Sequence, residues 1–501
     1  MLKGNLIANY LGQGWTALMG LAFVPVYIRY LGIESYGLIG LFAVLQAWLN
    51  LLDLGMAPTL SREMGRFTAG TRTNESIADL LRSVETLAVL IAVLTALGVA
   101  SGSVWLATNW LRAEQLPVAT VAQAFTMMGV VTALQFVIGL YRSSLVGLQR
   151  QVQLNLVNCI MATFRSVGAV AVLIWVSPTI SAFFIWQGIA SLLTLILFIR
   201  STYMSLNGLG LVATRAGRFS VDALRSVRKY AGGVLWITFL ALLLTQVDKV
   251  LLSRLLTLSE FGYYTLGAVV AGGLYVLVGP IIQAWFPRLS QLHAANLDSE
   301  FIEAYHQGAQ LVTVIVGSAT LVLVMYSEII LRLWTQDEEL ARSTADLVKW
   351  LAVGNLLNGL LTMPYQAQLA LGWTGFAIRV NTIAVVAIVP AILWAVPIYG
   401  MMGAAYVWVL LNTGYMLLGM HFMYRRILKT EKWRWYREDI LLPMLSATAM
   451  AVLLVEVVPV SGSPVYQFSA IAMSGLLILA AAIFGAPSLL KRVWEVVYGG
   501  R

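Results

Sequence analysis

Charge is what this chain has least of. Asp, Glu, Lys and Arg make up 11% of its 501 residues, against 59% hydrophobic residues. Soluble globular domains carry roughly 25% charged residues, so the chain cannot be wholly bathed in water. Cysteine is almost absent. Cys159 stands alone, which excludes an internal disulfide and a thiolate metal cluster; inside an apolar stretch it suits core filling better than nucleophilic chemistry. His293, His306 and His421 are scattered along the sequence, and there is no Walker A or HExxH motif. No metal or cofactor is therefore expected, and the chain is not expected to hydrolyse ATP itself. A cleavable leader is not expected either. Met1-Leu2-Lys3 runs into an apolar stretch too long for a signal peptide, without a small-residue cleavage site, so the first helix is expected to stay.

Long apolar runs are what the chain does have. A helix needs about 20 apolar residues to cross a bilayer. Fourteen candidate spans are read at about 6–30, 36–60, 80–103, 118–141, 154–176, 179–199, 230–256, 261–287, 307–333, 345–370, 375–398, 401–424, 440–460 and 467–487. Tyr27, Tyr30, Trp105, Trp110, Trp334, Trp433, Trp435 and Tyr436 stand at their ends, where aromatic side chains anchor helices to the headgroup layer.

The loops between spans alternate in charge. With the N-terminus inside, about 24 Lys and Arg fall on the cytoplasmic side and about 5 on the other, a bias that places both termini inside. The net charge of +9 is thus accounted for by short loops, and nucleic acid is not an expected partner. Two loops are larger. Ser220–Tyr230 repeats apolar residues every three positions among basic ones, as a short helix on the inner leaflet would. Lys429–Arg437 interleaves basic and aromatic residues, which beside a span end suits an interfacial anchor better than a nucleic-acid platform.

A repeat of about 225 residues runs through the chain. Lys3, Arg29, Tyr36 and Gly37 align with Arg228, Arg254, Phe261 and Gly262 at one offset. The second copy starts after six spans, so the repeats share one topology, an arrangement found in transporters that bind substrate near the midplane. The expected fold is all-α: two pseudo-symmetric six-helix lobes, 1–229 and 230–426, followed by two helices and a short tail over 427–501.

Charges inside the spans are the best lead to function. A charge at a helix centre costs about 2.5–3.5 kcal/mol on insertion scales, so it normally faces a cavity or a partner. Arg165 is the one charged residue between Arg150 and Arg200; it is read as a cationic contact for an anionic substrate, the alternative being a structural pair with Asp53. Asp248 and Lys249 are adjacent and, about 100° apart on a helix, must find separate environments. Asp248 is a candidate for ion coupling or for a structural bridge, as is Asp53. Arg29 and Arg254 hold equivalent positions near the outer boundary, where snorkelling also explains them. Glu328 and Arg332 are spaced to bridge on one helix, and Arg142 and Glu85 are near enough to the inner side to be wet. Gln46, Asn50, Gln135, Asn155, Asn158, Gln187, Asn355, Asn358, Gln366 and Gln368 add hydrogen-bonding capacity suited to sugar hydroxyls or to ties between helices. The outward loops are short, which argues against a membrane-embedded polymerase or ligase needing an outer acceptor site.

At Tyr30-Leu-Gly-Ile-Glu-Ser-Tyr-Gly37, Leu51-Leu-Asp-Leu-Gly55, Ser61-Arg-Glu63, Gln246-Val-Asp-Lys249 and Phe261-Gly-Tyr-Tyr264 the chain resembles the polysaccharide transporter family. These are the O-antigen (Wzx-type) flippases of the multidrug/oligosaccharidyl-lipid/polysaccharide exporter superfamily. Pro364–Gly372, Asn381 and Tyr399–Ala405 resemble its second half. The resemblance implies movement of undecaprenyl-diphosphate-linked oligosaccharide across the bacterial inner membrane by alternating access. It implies no enzyme activity and, as partners, the polysaccharide polymerase and chain-length proteins. On that reading Arg165 and Lys249, with Arg29, Arg254, Asn158 and Gln46, contact the diphosphate or glycan, while Asp248 and Asp53 couple ions. The lipid II flippases of the superfamily rely on arginines clustered in the first two spans, where this chain has only Arg29 and a boundary Arg62. The alternatives are a cation-coupled drug antiporter on the same fold, a glycan polymerase or ligase, and a non-transporting scaffold.

Overall fold

A computed structural model describes residues 2–71, 73–208, 217–222, 225, 239, 242–243, 245–457 and 462–491. The first part of span seven, much of the 220–230 surface helix and the tail beyond 491 lie outside the described residues. Every regular element among the described residues is helical. Eleven of these helices are long and apolar enough to cross a membrane, which makes the chain a multi-pass membrane protein.

The chain divides into two compact units, Met1–Gly262 and Tyr263–Arg501. The first contains α1 (Leu2–Ala22), α2 (Val24–Leu49), α3 (Met56–Thr68), α4 (Asn74–Trp105), α5 (Val118–Gly147), α6 (Gln151–Trp175) and α7 (Ile180–Asn207). It also takes in the helical residues 245–255, so the division falls beyond the 229/230 boundary of the sequence repeat. Contacts of this segment explain why. The Trp110 indole donates to Ser253 Oγ at 3.1 Å, and the Leu258 amide donates to the Arg112 carbonyl at 2.9 Å.

Two breaks shape the start of the chain. Within α2 the helical path is interrupted at Gly32, whose φ of 79° is left-handed and disfavoured for residues with a Cβ. After α2, Leu54 and Gly55 are both left-handed and end a 3₁₀ turn over Asn50–Asp53 before α3 begins. Both oxygens of Asp53 accept from the Ala57 amide, at 3.0 and 3.1 Å. This places a carboxylate at a helix N-terminus, where exposed amides favour it.

α4 shows how sequence sorts protein from lipid. Leu80, Leu81, Val84, Ala88 and Ala92 are buried, joining Phe136, Leu140 and Tyr141 of α5 in one core. Leu90, Val93, Leu94 and Leu97 recur on the other face and are exposed. In water such a stripe would be a liability; in hydrocarbon it is the expected surface.

Residues 30–37 form a structural corner. The buried Glu34 carboxylate accepts from the amides of Glu114 at 2.7 Å and Gln115 at 2.9 Å. A Cβ on Gly37 would strike the Leu258 carbonyl, and one on Gly262 would strike the Ile33 carbonyl. These two glycines, equivalent in the repeat, therefore let each other's segments approach backbone to backbone. Overpacking costs about 1–3 kcal/mol where neighbours can yield and more where backbone is struck. Gly37→Leu is expected to cut the yield of monodisperse protein on size-exclusion chromatography several-fold. Gly20→Leu, at a glycine with open space around it, is expected to leave that yield unchanged.

The second unit contains α8 (Leu258–Ala294, from Tyr263 onward), α9 (Asp298–Thr335), α10 (Glu338–Leu360), α11 (Thr362–Ala370), α12 (Thr374–Tyr399), α13 (Met401–Gly414), α14 (Met420–Arg426), α15 (Leu442–Val457) and α16 (Pro464–Phe484). The span expected at 345–370 is divided at Leu361, and its first helix begins at Glu338, capped by Asp337 through the Leu340 amide at 3.0 Å. α9 packs lengthwise on α10 and also on α15 and α16. The core shared with the last two helices includes Val314, Ala447, Ala451, Leu454, Ile478 and Ala482.

Several expectations are corrected here. Glu328 does not bridge to Arg332: it pairs with Arg342 at 3.5 Å, while Arg332 donates to Gln467 at 3.5 Å. Trp435 is not an interfacial anchor. It is fully buried against Tyr424 and Tyr436, whereas Trp433 is exposed. Glu85 is not wet, because Tyr141 and Tyr203 both donate to it, at 2.9 and 2.8 Å, beneath Arg82 at 3.5 Å.

Candidate functional site

In the first unit, Arg165 on α6 and Arg142 on α5 lie close enough for their like charges to interact. Helices bring them there for apolar reasons. α6 is held by the Trp186 indole, which donates to the Arg165 carbonyl at 3.1 Å. Gly168 leaves the space that this indole ring fills. The Arg142 guanidinium lies 5.5 Å from the Phe198 ring centre. Among the described residues neither arginine has a carboxylate partner, and the Nε of each is buried without a hydrogen bond. Asn158, seven residues before Arg165 and so on the same helix face, has a buried Oδ1 likewise unpartnered. Two desolvated cations that repel each other are poised for an anion.

The other expected site residues divide by environment. Asp53 is engaged with its own helix start, as described above. Lys249 Nζ donates to the Thr245 carbonyl at 3.1 Å and to Gln246 Oε1 at 3.3 Å, both on its own helix. Asp248 and Gln46 are half-buried, and Arg29 is exposed. Arg254 donates to the carbonyls of Asn109 and, at 3.2 Å, Trp110, and lies over the Trp110 ring at 5.7 Å. It thereby covers the carbonyl-rich end of a π-helical turn over Leu106–Trp110. Arg142 was missed as a site residue because its sequence position reads as a wet boundary. The apolar run of α5 that precedes it offered no such signal.

In the second unit a cavity of about 500 Å³ opens among α8, α10, α11 and α12, within the roughly 300–1,000 Å³ of small-ligand sites. Tyr275, Tyr365 and Tyr415 bring rings and hydroxyls, and Asn358, Gln366, Gln368 and Asn381 bring amides; none of the lining residues is charged. The polar wall is held in place from behind. Tyr275 donates to Asn355 and Asn358, each at 3.2 Å, Asn358 donates to Asn412 at 2.8 Å, and Trp408 donates to Asn355 at 2.9 Å. Gln368 is 4% exposed, and its Oε1 has no partner among the described residues. Pro280 on α8 removes an amide from the helix ladder next to the lining residues Val278 and Gly279.

A second buried cluster ties α9 to the following helices. His306 is fully buried, with Nδ1 2.5 Å from Asp439 and Nε2 3.0 Å from Glu431. Gln310 donates to Asp439 at 2.9 Å, and its Oε1 accepts from the amides of Ser488 and Leu489 at 2.9 and 3.2 Å. Burial works to raise the Glu431 carboxyl, but hydrogen bonds from Thr430 and His306 and the charge of Arg434 outweigh it and hold the group low. Scattered in sequence, these residues gave no motif.

Known proteins resemble the chain over most of its length. A protein of Shigella flexneri named "Putative O-antigen transporter" is 20% identical over 407 residues, 81% of this chain and 93% of that one. Among solved structures, an inward-facing multidrug resistance MATE family transporter of the MOP superfamily aligns with a TM-score of 0.65 at 14% identity, covering 83% of this chain and 96% of its own. The lipid II flippase MurJ in an inward closed conformation aligns at 0.64 and 12% identity, covering 97% and 99%. These structural likenesses establish a shared polytopic transporter fold. Residues 2–293 match the family described as polysaccharide biosynthesis protein, and with more than half of its length inside that match the chain belongs to this family.

Proposed function

We propose that this chain is a flippase that carries undecaprenyl-diphosphate-linked oligosaccharide from the cytoplasmic to the periplasmic leaflet of a bacterial inner membrane, by alternating access, for surface polysaccharide synthesis. The observation that carries this reading is the Arg142–Arg165 pair, two half-buried arginines whose Nε atoms are buried without a hydrogen bond and which have no carboxylate partner among the described residues. A diphosphate supplies the missing charge, and guanidinium forks match phosphate oxygens in pairs. The same pair disfavours a drug antiporter, since a cationic drug would meet charge of its own sign. In this reading 1–229 and 230–426 are the two repeats, 427–501 is appended, both termini are cytoplasmic, and the chain is not an enzyme. Lys249, Arg29 and Arg254 serve the phosphate less directly, and Asp248 and Asp53 are the candidates for ion coupling. Polymerase and chain-length proteins are its functional neighbours.

Deleting the gene is expected to trap lipid-linked oligosaccharide on the cytoplasmic face, measured by the access of an added glycosidase to right-side-out and inverted vesicles. Wild-type protein supplied on a plasmid is expected to restore the outward signal. Equal access in the deletion strain and its parent would refute the flippase.

A further inference from the structure

The polar cavity of the second unit does not stand alone. A second hollow of about 490 Å³ lies between α12 and the stretch from α13 to α14, lined almost wholly by apolar side chains such as Ile383, Ala387, Leu410, Leu418 and Phe422. Ile383, Leu410 and Leu418 are more than 60% exposed, so this groove is open along its side. Val380, Tyr415 and Gly419 line both hollows, which therefore lie side by side across a shared wall. The junction is built by a π-helical turn over Tyr415–Gly419. Such turns re-aim side chains and recur at functional sites. Tyr415 points its hydroxyl at Asn381, 3.3 Å away. On one side of the junction are tyrosine rings, amides and a buried, unpartnered Gln368 oxygen; on the other is a trough of aliphatic chains facing lipid.

We propose that this pair of hollows is one bipartite site for a saccharide carried on an isoprenoid chain: the sugars lie in the polar cavity and the tail lies in the apolar groove. The proposal rests on the flippase reading for the identity of its ligand. Sugars are recognised by hydrogen bonds to hydroxyls and by aromatic faces, and this cavity offers both without the desolvation cost of a charge. The Asn381 side-chain NH2, whose carbonyl oxygen accepts from Tyr415, is a neutral donor for a sugar hydroxyl. Having no cation, the site reads sugar and tail rather than phosphate. The shared wall commits the groove to the tail of the same molecule, since a polar cavity beside a lipid-facing trough fits a ligand with both characters.

The test uses the full-length protein in nanodiscs of phosphatidylethanolamine and phosphatidylglycerol. Its probes are a polyprenyl diphosphate disaccharide, the same polyprenyl diphosphate without sugar, and the free disaccharide. Tyr365→Ala, at an exposed ring of the cavity, is expected to weaken the lipid-linked disaccharide about tenfold, the scale of a lost aromatic contact, and to leave the sugar-free lipid unchanged. Ala387→Trp, which fills the exposed groove, is expected to weaken both lipids at least tenfold and to spare the free disaccharide. Unchanged binding in Ala387→Trp, or equal weakening of the free disaccharide in that variant, would overturn the groove assignment. Equal loss of both lipids in Tyr365→Ala would overturn the cavity assignment. Wild-type protein that binds as expected but fails to restore the outward glycosidase signal in the deletion strain would sink the flippase reading alone.

Discussion

Arg165→Ala is expected to reduce surface polysaccharide by tenfold or more while the protein inserts normally and becomes no less stable. The two halves of this outcome have one origin. A cation among transmembrane helices costs about 2.5–3.5 kcal/mol on insertion scales, and here neither a carboxylate nor a hydrogen bond to Nε offsets it among the described residues. The neighbouring Arg142 adds repulsion. Removing the side chain therefore relieves folding of a burden rather than breaking a bond. Transport loses a charge-assisted contact instead. Hydrogen bonds to charged groups contribute about 1.5–3 kcal/mol, or roughly ten- to more than a hundred-fold in affinity. Arg142→Ala is expected to behave alike, and the double variant to lose less than the product, because both side chains serve one anion. Arg165→Lys keeps the charge but not the planar fork and is expected to recover only part of the activity. Measuring polymer by gel and thermal stability in detergent on the same variants separates the effects. Wild-type polymer in Arg165→Ala would remove the pair from the mechanism. A large drop in stability would show that the guanidinium is a structural strut.

Arg165 was visible in the sequence because it interrupts a long apolar stretch, and a lone charge in such a stretch is conspicuous. Span positions were visible for the same reason, since length and hydropathy decide them locally. What remained hidden depends on contacts between distant helices. Arg142 follows an apolar run and reads as a boundary residue until α6 brings Arg165 beside it. Trp435 shares its neighbourhood with basic residues, so it reads as an anchor; a π-helical turn over Trp435–Leu441 turns it inward. The motif residues themselves turn out to be architectural where the structure describes their contacts. Glu34 fastens two loop amides, and Gly37 permits a backbone approach. Such residues mark a fold firmly and a substrate weakly. The polar cavity was foreshadowed only as single amides, Asn358, Gln366 and Gln368, because nothing in the sequence shows that four helices converge on them.

The opposite pattern is expected for the buried histidine cluster, where stability should fall and transport per folded molecule should not. Both His306 nitrogens face carboxylate oxygens, so both are placed to donate. Asp439 is fully buried and holds a second bond from Gln310. Breaking a buried pair by removing one partner costs about 3–5 kcal/mol, because the other is left uncompensated. Asp439→Ala or His306→Ala is therefore expected to lower the detergent melting temperature by many degrees. His306→Leu/Asp439→Leu, which strands neither member of that pair and leaves Glu431 with Arg434 at 3.4 Å, is expected to be less destabilised than either alanine variant. Acid should act through the same contacts. Glu431 is held below the ordinary carboxylate range, so its contribution is present above the unfolded pKa and is lost as pH falls through the lower folded value. Wild-type stability is expected to decline in that acidic window, and Glu431→Gln to flatten the decline. If Asp439→Ala instead keeps the wild-type melting temperature and loses transport, the cluster belongs to the transport cycle and not to the scaffold.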